Sequence, residues 1–291
     1  MTTIKLDPGA ALLLDALHGA GHAAYAVGGC VRDSLLGLDP HDWDLCTSAR
    51  PEQVMELFGE KQCIPTGLQH GTVTVKRDGR LYEITTFRTE GTYTDGRHPD
   101  EVHFVPDVRE DLARRDFTIN AMAYNEKEGL VDPFGGQADL QSGILRAVGV
   151  PHQRFTEDAL RILRLYRFAA RFGFAIDPPT AQAAQELCAH LDCVSVERIE
   201  EELAKLLEGN LDKNSESGSQ SNSGIQVYIG EENGMQDMKD CSVVTARYDL
   251  GDGVQGTLGV VGPKRMDYEK VVGTLKNLRD QLDAIYKKNE P

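Results

Sequence analysis

The chain has 291 residues, is 40% hydrophobic and 26% charged, and carries a net charge of −15. This apolar content excludes wholesale disorder, and no run approaches the roughly 18 apolar residues that a membrane span needs. The acidic balance argues against non-specific nucleic-acid binding, which depends on Lys and Arg neutralising phosphates. The sequence shows no signal peptide, and its six cysteines form no CxxC pair, so we expect a cytoplasmic protein with reduced thiols.

The first half of the chain predicts helices interleaved with short strands. A helix begins with Asp7 as its N-cap and Pro8 at its first position, and stop signals follow at Gly19 and Gly21. The strand Ala23–Val27 then leads into two glycines. Asp78 and Gly79 are typical of a hairpin turn between two alternating strands. The other elements predicted here are helices at 31–36 and 51–58 and strands at 43–45, 72–75 and 81–87.

From about Thr156 to Leu207 the periodicity is helical and strands disappear. Residues 210–224, NLDKNSESGSQSNSG, are poor in apolar side chains and predict a flexible linker. Three strands follow, at 225–229, 242–250 and 254–261. A last helix opens at Pro263 and carries an apolar stripe from Tyr268 to Ile285, suited either to packing on the small sheet or to a dimer seam. The fold class expected is α+β, followed by helices and a second small α+β segment.

Acidic residues near the second strand suggest a metal site. Asp42 and Asp44 are two residues apart on a predicted strand, so their carboxylates emerge on one face. Glu83 lies on the predicted hairpin, whose pairing can bring it to the same side. Hard oxygen ligands of this kind suit Mg²⁺, which keeps waters and takes substrate phosphates. The alternative for a lone Asp-x-Asp is a solvated pair.

Two further motifs predict contacts to phosphate and sugar. Gly28 and Gly29 let a phosphate approach the backbone at the start of a short helix, and Arg32 follows, although a glycine pair is also typical of a plain turn. Arg114 and Arg115 stand beside Asp116 and Asn120 in RRDFTINA, which combines a phosphate clamp with groups that can bond ribose hydroxyls. A surface charge cluster is the alternative.

Arginines dominate one face of the predicted helix that contains EDALRILRLYRF. Arg164, Arg167 and Arg171 fall within a narrow arc, with Arg161 beside them. We expect these cations to need an anion such as a polyphosphate, because the neighbouring Glu157 and Asp158 cannot neutralise them all. Asp158 and Arg161 also offer an acceptor and donors that suit a base edge. The alternative is ion pairing with a neighbouring domain.

Taken together, residues ~20–208 resemble the bacterial CCA-adding enzyme and poly(A) polymerase family, the class II tRNA nucleotidyltransferases. The resemblance rests on motifs in order along the chain: GGCVRDSLLG (28–37), HDWDLCTSA (41–49), EITTFR (83–88), RRDFTINAMAY (114–124), DPFGG (132–136), EDALRILRLYRF (157–168) and VSVERIEEELAKLL (194–207). It implies a polymerase-β-like head, residues 1–145, and a helical neck, residues 146–209. It also implies template-independent addition of C or A to the tRNA 3′ end from CTP and ATP, with Mg²⁺.

The resemblance implies specific roles for these residues. Asp42 and Asp44 bind the catalytic magnesium, with Glu83 as a third carboxylate. The nucleotide-binding residues are Gly28, Gly29, Arg32, Arg115, Asp116, Asn120, Asp158, Arg161, Arg164 and Arg167. Residues 89–105 resemble the family's flexible loop and favour CCA or A addition, although the same pocket motifs also serve A-only and poly(A) addition.

After the linker the sequence leaves this family. Residues ~225–289 resemble the C-terminal part of HrcA-type heat-inducible repressors, notably IQVYIGEEN (225–233) and VQGTLGVVGPKRMDYEKVV (254–272), which implies part of a GAF-like domain over 225–291. The family's helical body and tail are not recognisable here, nor is a repressor's DNA-reading domain, so we expect no specific DNA binding. An HrcA-like transcriptional regulator and a non-functional chimera remain the alternatives to an enzyme of impaired tRNA turnover.

Overall fold

The computed structural model describes residues 3–91, 102–215, 225–229, 241–249, 255–263, 265 and 268–286. The chain divides into two compact units, residues 1–202 and residues 203–291. Within the described residues, no helix is long and apolar enough to cross a membrane.

The first unit holds eleven strands and most of the helices of the described chain. Its strands are β1 (Ala24–Val27), β2 (Leu45–Thr47), β3 (Cys63–Gly67), β4 (Thr72–Arg77), β5 (Arg80–Thr86), β6 (Arg88–Glu90), β7 (Val102–Phe104), β8 (Ala123–Asn125), β9 (Gly129–Val131), β10 (Ile144–Leu145) and β11 (Ala175–Ile176). Its helices are α1 (Pro8–Gly19), α2 (Gly29–Leu35), α3 (Pro51–Phe58), α4 (Val108–Ala113), α5 (Gly136–Ser142), α6 (Pro151–Glu157), α7 (Leu160–Phe172) and α8 (Pro178–Glu186). Helix α9 (Val196–Ser215) begins in this unit.

A seven-stranded mixed sheet organises the first unit, in the order β3-β4-β5-β2-β1-β8-β9. Neighbouring strands are antiparallel except β2 and β5, which pair in parallel with Leu45 opposite Ile84. The predicted hairpin is confirmed: Asp78 (φ 50°) and Gly79 (φ 80°) connect β4 to β5. Positive φ at both positions matches the right-handed twist of the two strands.

Apolar side chains pack against both faces of this sheet. One core includes Leu13 of α1, Val54 of α3 and Ile84 of β5, and it also contains Trp43, the single tryptophan of the chain. A second core packs Phe87 and Leu112 against Val27 and Cys46 on the other face. Because α4 supplies Leu112, this helix is fixed against the sheet face on which Asp44 and Glu83 lie.

The first helix follows the sequence prediction. The Asp7 carboxylate caps α1 by accepting hydrogen bonds from the main-chain N–H groups of Gly9 and Ala10, at 2.9 and 3.2 Å. Its other contacts are to Arg80 and Tyr82 of β5, at 2.6 Å each. The N-cap therefore also fastens α1 to the sheet.

The neck differs from the sequence prediction in two respects. The stretch 157–168 is not one helix: α6 ends at Glu157, and Asp158 has an extended backbone (φ −146°, ψ 104°). Strands also do not end near Thr156, because β11 pairs in parallel with β10. Gly173, at φ 68°, ends α7 and lets the chain turn back into that strand.

The second unit contains a three-stranded antiparallel sheet and a helix. The strands β12 (Ile225–Ile229), β13 (Cys241–Asp249) and β14 (Gln255–Pro263) pair in that order, and α10 spans Tyr268–Tyr286. The helix does not open at Pro263, which is the last residue of β14. Leu275 is buried against Val244 and Ala246, so the part of the apolar stripe around it packs on the sheet.

The predicted linker is wrong over its first six residues, because α9 continues to Ser215. The five polar residues within 210–215 do not prevent a helix that is propagated from the apolar turns before them. Residues 216–224 lie outside the described chain.

Candidate active site

Three acidic residues, Asp42, Asp44 and Glu83, which we call the carboxylate cluster, lie at one end of the β2–β5 pair. Asp42 and Asp44 are not on a strand as predicted; both precede β2, which begins at Leu45. Leu45 pairs with Ile84, so the same parallel register continued by one residue places Asp44 beside Glu83. Leu45 and Ile84 are buried on the opposite face, whereas all three acids are exposed.

The pKa of Asp44 shows that negative charges lie close together in this cluster. Loss of surrounding water, together with the negative charges of Glu83 and Asp42, raises the pKa of Asp44 to about 6 against the opposing charge of Arg115. The residue nevertheless remains exposed to solvent. Negative charge at this point is therefore incompletely compensated.

The carboxylate cluster fits a magnesium site that substrate completes. Among the described residues, no three His, Cys, Asp or Glu side chains are already arranged around a metal position. Mg²⁺ commonly uses one or two carboxylates, together with waters and substrate phosphates. Asp42 and Asp44 have the chemistry of such a pair, and Glu83 stands close enough to influence Asp44.

The Gly28–Gly29 turn brings the backbone close to an arginine. Gly28 has φ 77°, and its N–H donates to the main-chain oxygen of Met122 at 3.1 Å. A Cβ on Gly28 would lie 2.9 Å from Nη1 of Arg115, so a side chain here would displace that guanidinium. Arg115, which also acts electrostatically on Asp44, is therefore positioned between the turn and the carboxylate cluster.

Arg32 points inward and is 4% exposed. Its Nη1 donates to Oδ1 of Asn120 at 2.6 Å, its Nε and Nη2 contact Asp33 at 2.7 Å, and its guanidinium lies 4.9 Å from the ring centre of Phe172. Burial lowers the pKa of Arg32, although Asp33 opposes this shift. Arg32 braces Asn120 in this structure, and the predicted contact to a phosphate stays a prediction.

Asp116 joins the head to the neck. Its Oδ1 accepts from Nδ2 of Asn120 at 3.0 Å and from the N–H of Phe117 at 2.8 Å, and its Oδ2 accepts from Nη2 of Arg164 at 2.7 Å. Burial opposes ionisation of Asp116, but the Arg164 guanidinium and these hydrogen bonds prevail and lower its pKa to about 2. The predicted sugar-binding pair, Asp116 and Asn120, is therefore joined directly.

The arginine face of α7, formed by Arg164, Arg167 and Arg171, finds its anions within the protein. Glu202 of α9 is 3% exposed and accepts from Nη1 of Arg164 at 3.2 Å and from Nε of Arg167 at 2.5 Å. Arg171 lies 3.7 Å from Asp33. The expectation that these arginines require an external polyphosphate for neutralisation is wrong, because acids far away in sequence supply the charge.

The predicted base-reading pair is also engaged. Asp158 accepts from Nη1 and Nη2 of Arg198 at 3.2 and 2.8 Å. Arg161 donates to Oε2 of Glu157 at 2.8 Å and to the main-chain oxygen of Arg114 at 3.1 Å. Arg161 thus contacts the Arg114–Arg115 segment, and a base could bind Asp158 and Arg161 only by replacing these partners.

Sequence reasoning missed three residues of this region: Asp111, Arg198 and Glu202. Asp111 is fully buried and contacts both Arg114 and Arg115. Its spacing of three and four residues before these arginines on a helical segment is the signal that could have found it. Glu202 and Arg198 had no local signal, because their partners lie some 35 to 40 residues away.

The loop predicted over 89–105 lies partly outside the described residues, which omit 92–101. Its two ends pair as β6 and β7. Phe104 covers Gly71, where a Cβ would lie 2.6 Å from the Phe104 ring, and the Arg88 guanidinium donates to the main-chain oxygen of His70. The base of the loop is therefore fixed to the sheet.

Comparison with known proteins separates the two halves of the chain. Residues 24–146 match the model of the poly A polymerase head domain, and residues 190–272 match the model of the HrcA protein C-terminal domain. The CCA-adding enzyme of Lactiplantibacillus plantarum is 50% identical over 197 residues, which are 68% of this chain and 48% of that enzyme. That of Ligilactobacillus salivarius is 46% identical over 216 residues, 74% of this chain and 52% of the enzyme.

Solved structures of CCA-adding enzymes cover about 70% of the chain. The crystal structure of the Bacillus stearothermophilus CCA-adding enzyme in complex with CTP is 43% identical, with a TM-score of 0.65, over 72% of this chain and 51% of that one. The Thermotoga maritima CCA-adding enzyme complexed with tRNA is 30% identical, with a TM-score of 0.58, over 70% of this chain and 48% of that one. The α+β fold of the first unit matches that of the CCA-adding enzyme head. The chain spans about half the length of the curated relatives it matches.

Proposed function

We propose that this chain is a magnesium-dependent nucleotidyltransferase that adds C or A from CTP and ATP to the 3′ end of tRNA. Similarity to CCA-adding enzymes at about 50% identity supports this proposal. The structural observation that carries it is the carboxylate cluster, whose crowded negative charge faces Arg115 and the Gly28 turn. A cation site next to an anion site is what a metal-bound nucleoside triphosphate requires.

The carboxylates and Arg115 would have different roles at the reacting phosphate. Asp42 and Asp44 would hold magnesium, and Glu83 would add negative charge beside them. Bound magnesium would lower the pKa of the attacking 3′-hydroxyl and stabilise the leaving pyrophosphate. Arg115 would contact the triphosphate where Gly28 leaves room for it, since its Nη1 already lies at that glycine.

Selection of the base and sugar would fall to the neck side of the cleft. Asp158 and Arg161 present an acceptor and donors suited to a base edge. Asp116 and Asn120 would contact the sugar, Arg164 and Arg167 would complete the anion-binding pocket, and Arg32 would act through Asn120. Because Arg198 and Glu157 hold Asp158 and Arg161 in this structure, binding of the base would proceed by exchange of these partners.

Calorimetry tests the proposal directly. We expect CTP and ATP to bind in the presence of magnesium, and we expect binding to be lost in the double variant Asp42→Ala/Asp44→Ala. The matched control is Asp39→Asn, an exposed carboxylate of the same segment. Absence of binding by the unaltered chain, or equal binding by the double variant, would contradict the proposal.

A second candidate function follows from the HrcA match over 190–272. Under it, the chain would be a transcriptional regulator that recognises a heat-shock operator. We expect no specific gel shift with such DNA, because the match covers only the repressor's C-terminal domain. A specific, competitor-resistant shift would favour the regulator.

A further inference from the structure

Asp111 is a buried carboxylate that none of the proposed roles uses. It lies in the last turn of α4 and its side chain is 0% exposed. A carboxylate removed from water in this way is costly unless it is paired and hydrogen-bonded. The hydrogen-bond partners of the Asp111 carboxylate therefore indicate its role.

The two oxygens of Asp111 serve different parts of the cleft. Oδ1 accepts from Nε and Nη2 of Arg114, at 3.0 and 2.9 Å, and from the main-chain N–H of Arg88 at 3.3 Å. Oδ2 accepts from Nη2 of Arg115 at 3.3 Å. One oxygen thus reaches the first residue of β6, from which the 92–101 segment extends, and the other reaches the arginine at the Gly28 turn.

Arg115 is held at one end by this contact. Its Nη2 bonds to Asp111, whereas its Nη1 lies at the Gly28 turn. Its Nε is buried and has no hydrogen-bond partner among the described residues. The orientation of the guanidinium toward the carboxylate cluster therefore depends on Asp111.

We infer that Asp111 is a positioning residue that fixes the Arg115 guanidinium beside Gly28 and joins it to the start of β6. The inference rests on the proposed function, since it supposes that Arg115 binds the triphosphate. It assigns no contact between Asp111 and substrate; Asp111 acts through Arg115.

The chemistry of the side chain makes this inference testable by a conservative change. Asparagine has nearly the same shape but only one acceptor oxygen, so Asp111→Asn loses either the Arg115 contact or the contacts to Arg114 and Arg88. Charge-assisted hydrogen bonds are the stronger ones, and we expect magnesium-CTP to bind about tenfold more weakly. Asp7→Asn is the matched control, because Asp7 is also a paired carboxylate but contacts neither arginine.

A double-mutant cycle separates positioning from a general loss of structure. CTP affinity is measured by calorimetry, with magnesium, for the unaltered chain, Asp111→Asn, Arg115→Ala and the double variant. We expect the double variant to bind no more weakly than Arg115→Ala alone. Additive losses, or unchanged affinity in Asp111→Asn, would overturn the inference.

Two further measurements distinguish failure of the positioning role from misfolding and from failure of the proposed function. If Asp111→Asn does not fold, as judged by circular dichroism, Asp111→Glu takes its place in the same cycle, because it keeps both acceptors and the charge but changes their position by one methylene group. If the unaltered chain binds no CTP, the proposed function fails, whereas binding that is insensitive to Asp111 overturns the positioning role alone.

Discussion

The carboxylate cluster and the arginine face of α7 differ in how far their charges are neutralised by neighbouring protein groups. In the cluster, Asp44 has acidic neighbours that raise its pKa, and the residue stays exposed. On the arginine face, Arg164 and Arg167 share the buried Glu202, and Arg164 also binds Asp116. The first region is electrostatically incomplete and suits an added cation, whereas the second is complete and can accept an anion only by exchanging partners.

The largest effect on activity is expected from changes in the carboxylate cluster. Asp42→Asn/Asp44→Asn should lower incorporation of labelled nucleotide into tRNA lacking its CCA end by at least about 1,000-fold, because each acid would bind the catalytic cation. Thermal unfolding should be unchanged or raised. A variant that retains near-normal incorporation would show that these acids are not the metal ligands.

Removal of the Glu202 charge should leave the arginine face of α7 with uncompensated positive charge. Glu202→Gln gives Arg167 a neutral acceptor in place of a carboxylate and leaves Arg164 with Asp116 as its charged partner. We expect a loss of about 2–3 kcal/mol in the free energy of unfolding of the first unit. Urea unfolding followed by the fluorescence of Trp43 reports on that unit, because Trp43 lies in its core. Glu186→Gln, an exposed acid of the same unit, is the control; equal losses in the two variants would argue against the shared-anion role.

Acid should weaken the same region through Asp116. Its pKa is about 2 in the folded chain against an ordinary value of 3.8, so ionised Asp116 stabilises the fold above about pH 4. This contribution is lost as the pH falls from 4 towards 2, when the folded state must also take up the proton. Asp116→Asn should flatten the dependence of unfolding free energy on pH in that window, and an unchanged slope would contradict the assignment.

The smallest effect should appear where like charges are removed. In the absence of magnesium, Asp44→Asn relieves repulsion from Glu83 and Asp42, and we expect the first unit to gain a few tenths of a kcal/mol, since solvent screens an exposed group. Urea unfolding followed by Trp43 fluorescence measures the difference. A clear loss of stability would mean that the Asp44 carboxylate has a structural role without metal.

Local chemistry made much of the fold predictable. Asp7 with Pro8 marked the start of α1, and Asp78 with Gly79 marked the β4–β5 turn, because capping and positive φ are properties of neighbouring residues. The break at Asp158 was not predicted. At the break, the Asp158 carboxylate accepts a hydrogen bond from the main-chain N–H of Leu160 at 3.1 Å, at the start of α7, and it also pairs with Arg198 of a later helix. The helical periodicity of 157–168 does not reveal either contact.

The candidate site was predictable as a set of residues but not as a network. The motifs identified the acids and arginines, and the register of β2 on β5 places Glu83 beside Asp44 as foreseen. The partners of the arginines were missed, because Glu202 and Asp111 become neighbours only when α9 and α4 pack. The roles assigned to these residues in nucleotide binding remain predictions.

The connectivity of the sheet also has a kinetic meaning. β1 pairs with β8 about 100 residues later, and β2 must reach β5 across α3 and two other strands before Asp44 and Glu83 meet. Contacts between residues so distant along the chain form slowly, because loop closure must precede any gain from pairing. On the ribosome, the sheet that carries the carboxylate cluster would therefore be completed only after β8, which ends at Asn125, has emerged.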